Sequence, residues 1–174
     1  MKKLAASLLI AGAALSAAIA ARPDAARAEQ VGNFLNLDLA MEAAAESVRV
    51  CAEHGWHVSV VIVDSAGNIK LQAKGDGSTV HTKDASFRKA YTVVTMGPIF
   101  GFDRLGDWVE QLKTNPYAPA YASLPNIFLL PGAVAVKIKG EIVAAIGVGG
   151  APGGSNDEIC AVAGLEKIKD RLPQ

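Results

Sequence analysis

The nine residues Gly147-Val148-Gly149-Gly150-Ala151-Pro152-Gly153-Gly154-Ser155 join a predicted strand to a predicted helix. They do not form a dinucleotide-binding fingerprint, because the third glycine of G-x-G-x-x-G would fall on Pro152, and no lysine follows Gly154 as in a Walker A loop. Two interpretations remain. The glycines form either a cradle whose backbone amides bind an anion or carboxylate, or a tight turn that packs the last helix against the sheet.

The helix after this connection opens with Ser155-Asn156-Asp157-Glu158. This pattern predicts a capping box, in which Ser155 and Glu158 bind the first free backbone amides of the helix. Asp157 and Glu158 also place two negative charges in the first turn, where they would repel a second anion. The tight turn is therefore the favoured interpretation of the glycines.

Outward from this connection, helices and strand hairpins alternate along the chain. Apolar residues at steps of three and four from Leu37 to Glu53 predict an amphipathic helix, with Asn36 as its N-cap. Short runs rich in β-branched residues predict two hairpins. The predicted strands cover 57–64, 69–74, 133–139 and 141–148, and the other predicted helices cover 82–96, 103–113 and 156–172. This order predicts an α+β fold with an antiparallel sheet flanked by helices.

The composition is typical of one folded domain. The chain has 174 residues, 51% of them apolar, with 17 positive against 17 negative side chains. The apolar fraction excludes a disordered chain. The absence of a net positive charge argues against a nucleic-acid-binding protein, because such proteins carry basic surfaces.

The N-terminus has the pattern of a secretory signal peptide. Met1-Lys2-Lys3 precedes an apolar run from Leu4 to Ala21, and Ala26-Arg27-Ala28 resembles a cleavage site. We expect residues 1–28 to be a signal peptide and residues 29–174 to form a single, slightly acidic domain that is periplasmic or secreted. A membrane anchor is the alternative, since the run approaches the ~20 residues that span a bilayer. No later segment is apolar over that length, so we expect no membrane association after cleavage.

The two cysteines, Cys51 and Cys160, each lie in a predicted helix and are flanked by Val or Ala. Their spacing excludes a C-x-x-C redox or zinc motif. In an exported protein they could form a disulfide. Two buried free thiols are the favoured alternative, because free cysteine is among the most buried residue types.

Candidate ligand-binding residues cluster around the start of the second predicted helix. His81 lies in a glycine-rich loop immediately before Thr82, the predicted N-cap, and loops are where ligand-binding groups concentrate. His81 is the candidate metal ligand, as an axial ligand or a proton carrier. Arg88 and Lys89 follow on the helix and could pair with carboxylates of a ligand or could simply be solvated. His54 and His57 share no zinc-binding spacing with His81.

Several motifs together resemble the GlcG/HbpS family, which includes the C-terminal domain of PduO-type proteins. The resemblance runs from about Leu37 to Leu172. It rests on Val61-Ile62-Val63-Asp64 with Gly67, His81-Thr82, Arg88-Lys89-Ala90-Tyr91-Thr92, Gly140, the stretch from Ala145 to Gly154, Asp157-Glu158 and Cys160-Ala161.

This resemblance implies a profilin-like antiparallel sheet flanked by helices and assembly into homo-oligomers. It also implies binding of haem or a related tetrapyrrole, with a role in extracellular haem handling or sensing and a sensor kinase as a candidate partner. By motif position, it implies that His81, Thr82, Arg88, Lys89 and Thr92 bind the cofactor.

Two functions from different classes follow. In the first, the chain binds haem, ligates the iron through His81 or a neighbour, and pairs the propionates with Arg88 or Lys89. In the second, it is an enzyme or accessory factor for a small organic acid, with Asp64 or His81 as the general base and the glycine loop holding the carboxylate. No paired acid and base is evident in the sequence, which favours binding over catalysis.

Overall fold

The computed structural model describes residues 33–173. These residues belong to one compact unit, and the predicted signal peptide, 1–28, lies outside them. Within them the structure has helices α1 (Leu37–Glu53), α2 (Thr82–Phe100), α3 (Leu105–Leu112), α4 (Ala118–Ala122) and α5 (Gly154–Ile168), and strands β1 (Ser59–Asp64), β2 (Ile69–Lys74), β3 (Ala133–Ile138) and β4 (Glu141–Gly149). A short 3₁₀ helix, Lys169–Arg171, follows α5. No helix in this part of the chain is long and apolar enough to cross a membrane.

The four strands form one antiparallel sheet in the order β2-β1-β4-β3. The β1 and β4 strands pair at the centre, from Ser59 opposite Gly149 to Asp64 opposite Ala144. Both predicted hairpins, β1–β2 and β3–β4, are present. The predicted α+β fold with a helix-flanked antiparallel sheet is confirmed.

Helices cover both faces of the sheet. Successive side chains of β1 point to opposite faces and therefore enter two different apolar cores. Val60 and Ile62 belong to the core that contains α1 and α5. Val61 and Val63 belong to the opposite core, which contains residues of α2 and α3. The sheet is therefore the middle of three layers, which explains why β1 reads as a continuous β-branched run rather than a polar and apolar alternation.

Glycines in β4 allow α2 to lie directly on the sheet. A Cβ atom at Gly147 would lie 2.1 Å from the Ser86 carbonyl oxygen and 2.8 Å from the Ala90 amide nitrogen. At Gly149 the nearest backbone atom, the Thr82 carbonyl oxygen, would be 3.1 Å away. The first part of the glycine-rich stretch thus serves the packing of α2, a role that its position before α5 does not indicate.

A disulfide joins α1 to α5. Cys51 and Cys160 are bonded, with both side chains fully buried. The favoured prediction of two free thiols is wrong. The two residues are 109 positions apart, so their pairing depends on how α1 and α5 pack side by side.

Local signals at two helix ends gave incorrect predictions. Helix α2 does not stop before Pro98 but continues to Phe100 and ends at Gly101, whose φ of +71° is typical of a helix C-terminus. The capping box at Ser155 is not formed. Helix α5 begins two residues earlier, at Gly154; its N-cap is Gly153 with no side-chain cap, and Glu158 contacts other parts of the molecule.

We predict that Gly147→Ala destabilises the protein by about 1–3 kcal/mol or more, because its methyl group would overlap the α2 backbone. Gly149→Ala is the matched control, since its methyl group meets the helix at a distance that small shifts can accommodate. Urea denaturation followed by circular dichroism gives both free energies of unfolding. Equal losses in the two variants would contradict the close packing of α2 at Gly147.

We also predict that Cys51→Ala/Cys160→Ala lowers the free energy of unfolding by about 2–5 kcal/mol, because the disulfide closes a long loop in the unfolded chain. Dithiothreitol should destabilise the parent protein by a similar amount and leave the double variant unchanged. Two titratable thiols in the unreduced, denatured parent protein would contradict the disulfide.

Candidate functional site

The predicted N-cap, Thr82, is instead the first residue of α2, and His81 occupies the N-cap position. The Thr82 hydroxyl donates to the Thr79 carbonyl oxygen at 2.6 Å and lies 2.8 Å from the Ser59 hydroxyl. Ser59 is in turn 3.3 Å from the Ser78 hydroxyl. All three hydroxyl-bearing side chains, of Ser59, Ser78 and Thr82, are buried. Together they tie the start of α2 to β1 and to the preceding loop.

His81 is exposed beside this hydroxyl cluster. Its Nδ1 atom lies 3.0 Å from the Thr79 hydroxyl oxygen. A proton on Nδ1 donated to that oxygen leaves the lone pair of Nε2 available, which is the arrangement that orients a metal-binding imidazole. Val80, next to it, is 72% exposed. The structure thus places a potential iron ligand beside an apolar side chain at the surface.

Arg88 and Thr92 hold the segment after α4 against α2. The Arg88 guanidinium donates to the Ile127 carbonyl oxygen at 2.8 Å and lies 4.7 Å from the centre of the Phe128 ring. The Phe128 amide donates to the Thr92 hydroxyl oxygen at 2.9 Å. Thr92 is fully buried, whereas Arg88 is half-buried. Arg88 therefore has a structural role, and it also keeps N–H groups for which no partner lies within residues 33–173.

Lys89 is buried and forms an ion pair with Asp157. Its ammonium group donates to Asp157 Oδ2 at 2.6 Å and to the Val148 carbonyl oxygen at 3.0 Å. The side chains of Lys89 and Asp157 are 1% and 4% exposed. Burial lowers the pKa of Lys89 and raises the pKa of Asp157, while the attraction between the two charges opposes both shifts. Lys89 is thus not on a solvated basic face.

Glu158, the neighbour of Asp157, connects three separate segments. Its carboxylate accepts hydrogen bonds from the Gly106 amide at 2.8 Å and the Gly132 amide at 3.1 Å, and Arg104 Nε donates to it at 3.1 Å. The side chain is 6% exposed. Glu158, predicted to form part of the α5 capping box, and its neighbour Asp157 therefore bind the rest of the molecule to the start of that helix.

The glycine-rich connection binds one of the protein's own carboxylates. The Ala151 amide donates to Asp157 Oδ1 at 2.8 Å. An external carboxylate would have to compete with this buried, charged acceptor. The geometry therefore favours the tight turn over the anion cradle and removes the carboxylate-holding element from the organic-acid hypothesis.

The predicted site residues divide into two groups. His81 and Arg88 retain exposed or incompletely bonded polar groups, whereas Thr82, Lys89 and Thr92 are buried and hydrogen-bonded within the protein. A ligand role for all five stays a prediction. Sequence reasoning missed the contribution of Asp157, although a lysine within an apolar helix face and an acid after a glycine loop are the signals that could have indicated a buried pair.

The structure is that of an α+β protein, with an antiparallel sheet between two helical layers and a glycine-rich β4–α5 connection. A family model described as "Haem degrading protein HbpS-like" matches residues 35–166. The chain belongs to this HbpS-like family, as its sequence motifs predicted. A search of the curated proteins gives no match.

Solved structures agree with the family assignment. A crystal structure of HbpS is 34% identical, with a TM-score of 0.70, and the match covers 78% of this chain and 90% of that one. A double mutant of Streptomyces reticuli HbpS is 30% identical, with a TM-score of 0.70 and coverage of 94% and 97%. The PduOC:heme complex, at 16% identity, has a TM-score of 0.69 over 81% and 99% of the two chains and shows a common fold.

We predict that Lys89→Met lowers the free energy of unfolding by about 3–5 kcal/mol, because Asp157 would stay buried without its counter-charge. Lys113→Met, which breaks an exposed ion pair with Glu110, should change it by no more than about 0.5 kcal/mol. Equal effects of the two substitutions in urea denaturation would contradict a structural role of the buried pair.

The loss caused by Lys89→Met should depend on pH. Without the ammonium group, the pKa of Asp157 rises further above its value in the unfolded chain, so the folded variant takes up a proton first as the pH falls. The destabilisation should be greatest above the folded pKa of Asp157 and shrink as the pH falls toward the unfolded value of about 3.9. A loss that grows on acidification would contradict this sign.

Proposed function

We propose that the protein binds haem or a related tetrapyrrole and that His81 ligates the iron. The family description and the haem-bound PduOC relative support a tetrapyrrole ligand. The observation that carries the choice of residue is the His81 imidazole, which is exposed and whose Nδ1 atom contacts the Thr79 hydroxyl. With the imidazole proton on Nδ1, this contact orients the ring and leaves the Nε2 lone pair for a metal.

The residues around His81 suit this ligand in part. Val80 offers an apolar side chain to the ring, and Arg88 offers N–H groups to a propionate. When bound, haem would supply an iron centre for ligand binding and electron transfer. Lys89 and Thr92 would act indirectly, because their hydrogen bonds hold α2 and the 127–128 segment in place.

We further propose that the protein is exported and handles or senses haem outside the cytoplasm. The buried disulfide supports this location, since disulfides persist in oxidising compartments. The exposed position of His81 and Val80 supports a homo-oligomer, in which a second subunit would shield the bound ring from water. A sensor kinase is the proposed partner if the role is sensing.

Haem binding is a better-supported function than action on a small organic acid. Asp64, one of the two candidate bases, accepts hydrogen bonds from the Ala66 and Asn68 amides and organises the β1–β2 turn. The Ala151 amide of the glycine loop is bound to Asp157. Asp64 and the glycine loop, two of the elements proposed for an organic acid, therefore already have structural partners.

Titration with hemin tests the proposal. We expect a shifted Soret band that saturates at micromolar protein, and its loss or alteration in His81→Ala, because the iron would lose its nitrogen ligand. His54→Ala is the matched control, as His54 is also exposed and stacks on Trp56 at the end of α1. Repeated spectra with an added reductant show whether the bound haem is degraded.

The possible outcomes distinguish two questions: whether the protein binds haem, and which histidine ligates the iron. No spectral change in the folded parent protein would contradict haem binding. A band that survives His81→Ala but is lost in His57→Ala would retain haem binding and assign the iron to His57, whose Nδ1 atom lies 2.8 Å from the Asp76 carbonyl oxygen.

A further inference from the structure

A groove lies between β3, the β3–β4 turn and the C-terminal half of α5. It has a volume of about 600 Å³, which is within the usual range for small-molecule sites. We call it the β3–α5 groove. Among the residues that line it are the apolar side chains of Val162, Leu165 and Leu172 and the cations Lys137, Lys139 and Lys169.

The part of the groove formed by Lys139 and Gly140 is at the opposite end of β4 from the start of α2. It includes Gly140, immediately before β4, whereas the start of α2 packs against Gly149, the last residue of that strand. The nine residues of β4 span about 26 Å at the usual rise of ~3.3 Å per residue. None of the described residues that line the groove is a histidine, cysteine, methionine or tyrosine. The groove is therefore separate from the proposed iron ligand and offers none of the usual haem ligands.

The groove is positively charged within an acidic molecule. Arg104, Lys137, Lys139 and Lys169 line it together with two acidic residues, Asp103 and Glu166. Residues 33–173 as a whole carry 13 positive against 15 negative side chains. An excess of cations in a concave, partly apolar site attracts anions from solution.

Lys139 differs from the other three cations of the groove in its ion pairing with residues 33–173. Lys137 pairs with Asp103 at 3.2 Å, Lys169 pairs with Glu166, and Arg104 pairs with Glu158. Within residues 33–173, Lys139 has no ion-pair partner, and its side chain is exposed at the rim of the groove. Its ammonium group can therefore donate hydrogen bonds to a ligand carboxylate without breaking an ion pair among residues 33–173.

The backbone at Lys139 is strained, with φ at +52°. Lys139 and Gly140, whose φ is +85°, form the two-residue turn between β3 and β4, where asparagine followed by glycine is the favoured pair. A lysine therefore occupies a position at which the turn itself prefers another residue. Strain of this kind concentrates at functional sites.

We propose that the β3–α5 groove binds a small carboxylic acid with an apolar body. Lys139 pairs with the carboxylate, and Val162 and Leu165 of α5 contact the apolar part. Both valine and leucine are half-buried, so part of each side chain remains available to a ligand. The site requires no metal and does not depend on haem binding at His81.

Isothermal titration calorimetry of the purified protein with sodium octanoate tests this proposal. We expect one saturable site per chain. Lys139→Gln should weaken binding about tenfold, the usual effect of losing a hydrogen bond to a charged group. Lys74→Gln is the matched control, because Lys74 is also exposed, has no ion-pair partner within residues 33–173 and lies on β2, at the other edge of the sheet.

A second variant and a second ligand complete the test. Leu165→Ala should weaken octanoate binding, whereas His81→Ala should leave it unchanged. Octylamine, which has the same chain and the opposite charge, should not bind. The proposal is overturned by the absence of heat up to about 10 mM octanoate, by equal weakening in Lys139→Gln and Lys74→Gln, or by equal binding of octylamine. Loss of octanoate binding in His81→Ala would also overturn it, whatever the result with hemin.

Discussion

The ion pair between Lys89 and Asp157 connects the two helical layers through the end of the sheet. Lys89 is on α2, which covers one face, and Asp157 is in the first turn of α5, which covers the other. The ammonium group also binds the Val148 carbonyl oxygen of β4. Burial of both charges costs several kcal/mol per ion, so the pair is tolerated only with good geometry and additional hydrogen bonds.

The neighbouring residues provide both the space and the hydrogen bonds that the buried pair needs. A Cβ atom at residue 132 would lie 2.7 Å from Lys89 Nζ, so a glycine is needed there. Asp157 and Glu158 together accept hydrogen bonds from the amides of Ala151, Gly106 and Gly132. These contacts fix the start of α5 relative to β3 and β4. The ion pair between Lys89 and Asp157 then fixes α2 relative to α5.

This constraint also positions the proposed haem site. Helix α2 lies close to β4 because Gly147 lacks a side chain, and the buried hydroxyl groups of Ser59 and Thr82 hold its first turn. His81 emerges directly before that turn and is exposed. The proposed iron ligand is thus an exposed residue between the exposed Val80 and the buried Thr82, whose hydroxyl group holds the start of α2 in place.

Features that depend on residues close together in the chain, such as helix caps and strand hairpins, could be predicted from the sequence. The Asn36 cap is present, with its side chain accepting from the Leu39 amide, and the strand hairpins have the predicted order. Contacts between distant residues could not be predicted this way. Cys51 pairs with Cys160 across 109 positions, and Lys89 meets Asp157 across 68. Glu158 shows the difference most directly, because the local pattern predicts a capping box and the fold instead uses its carboxylate as a buried acceptor for the Gly106 and Gly132 amides.

A double-mutant cycle between Lys89 and Asp157 tests the central claim most directly. Urea denaturation of Lys89→Met, Asp157→Asn and the double variant gives the coupling free energy between the two side chains. If the pair joins the two helical layers, we expect a coupling of about 2 kcal/mol or more, because each single variant leaves one buried charge unpaired. A coupling below about 0.5 kcal/mol, as for independent sites, would contradict this account.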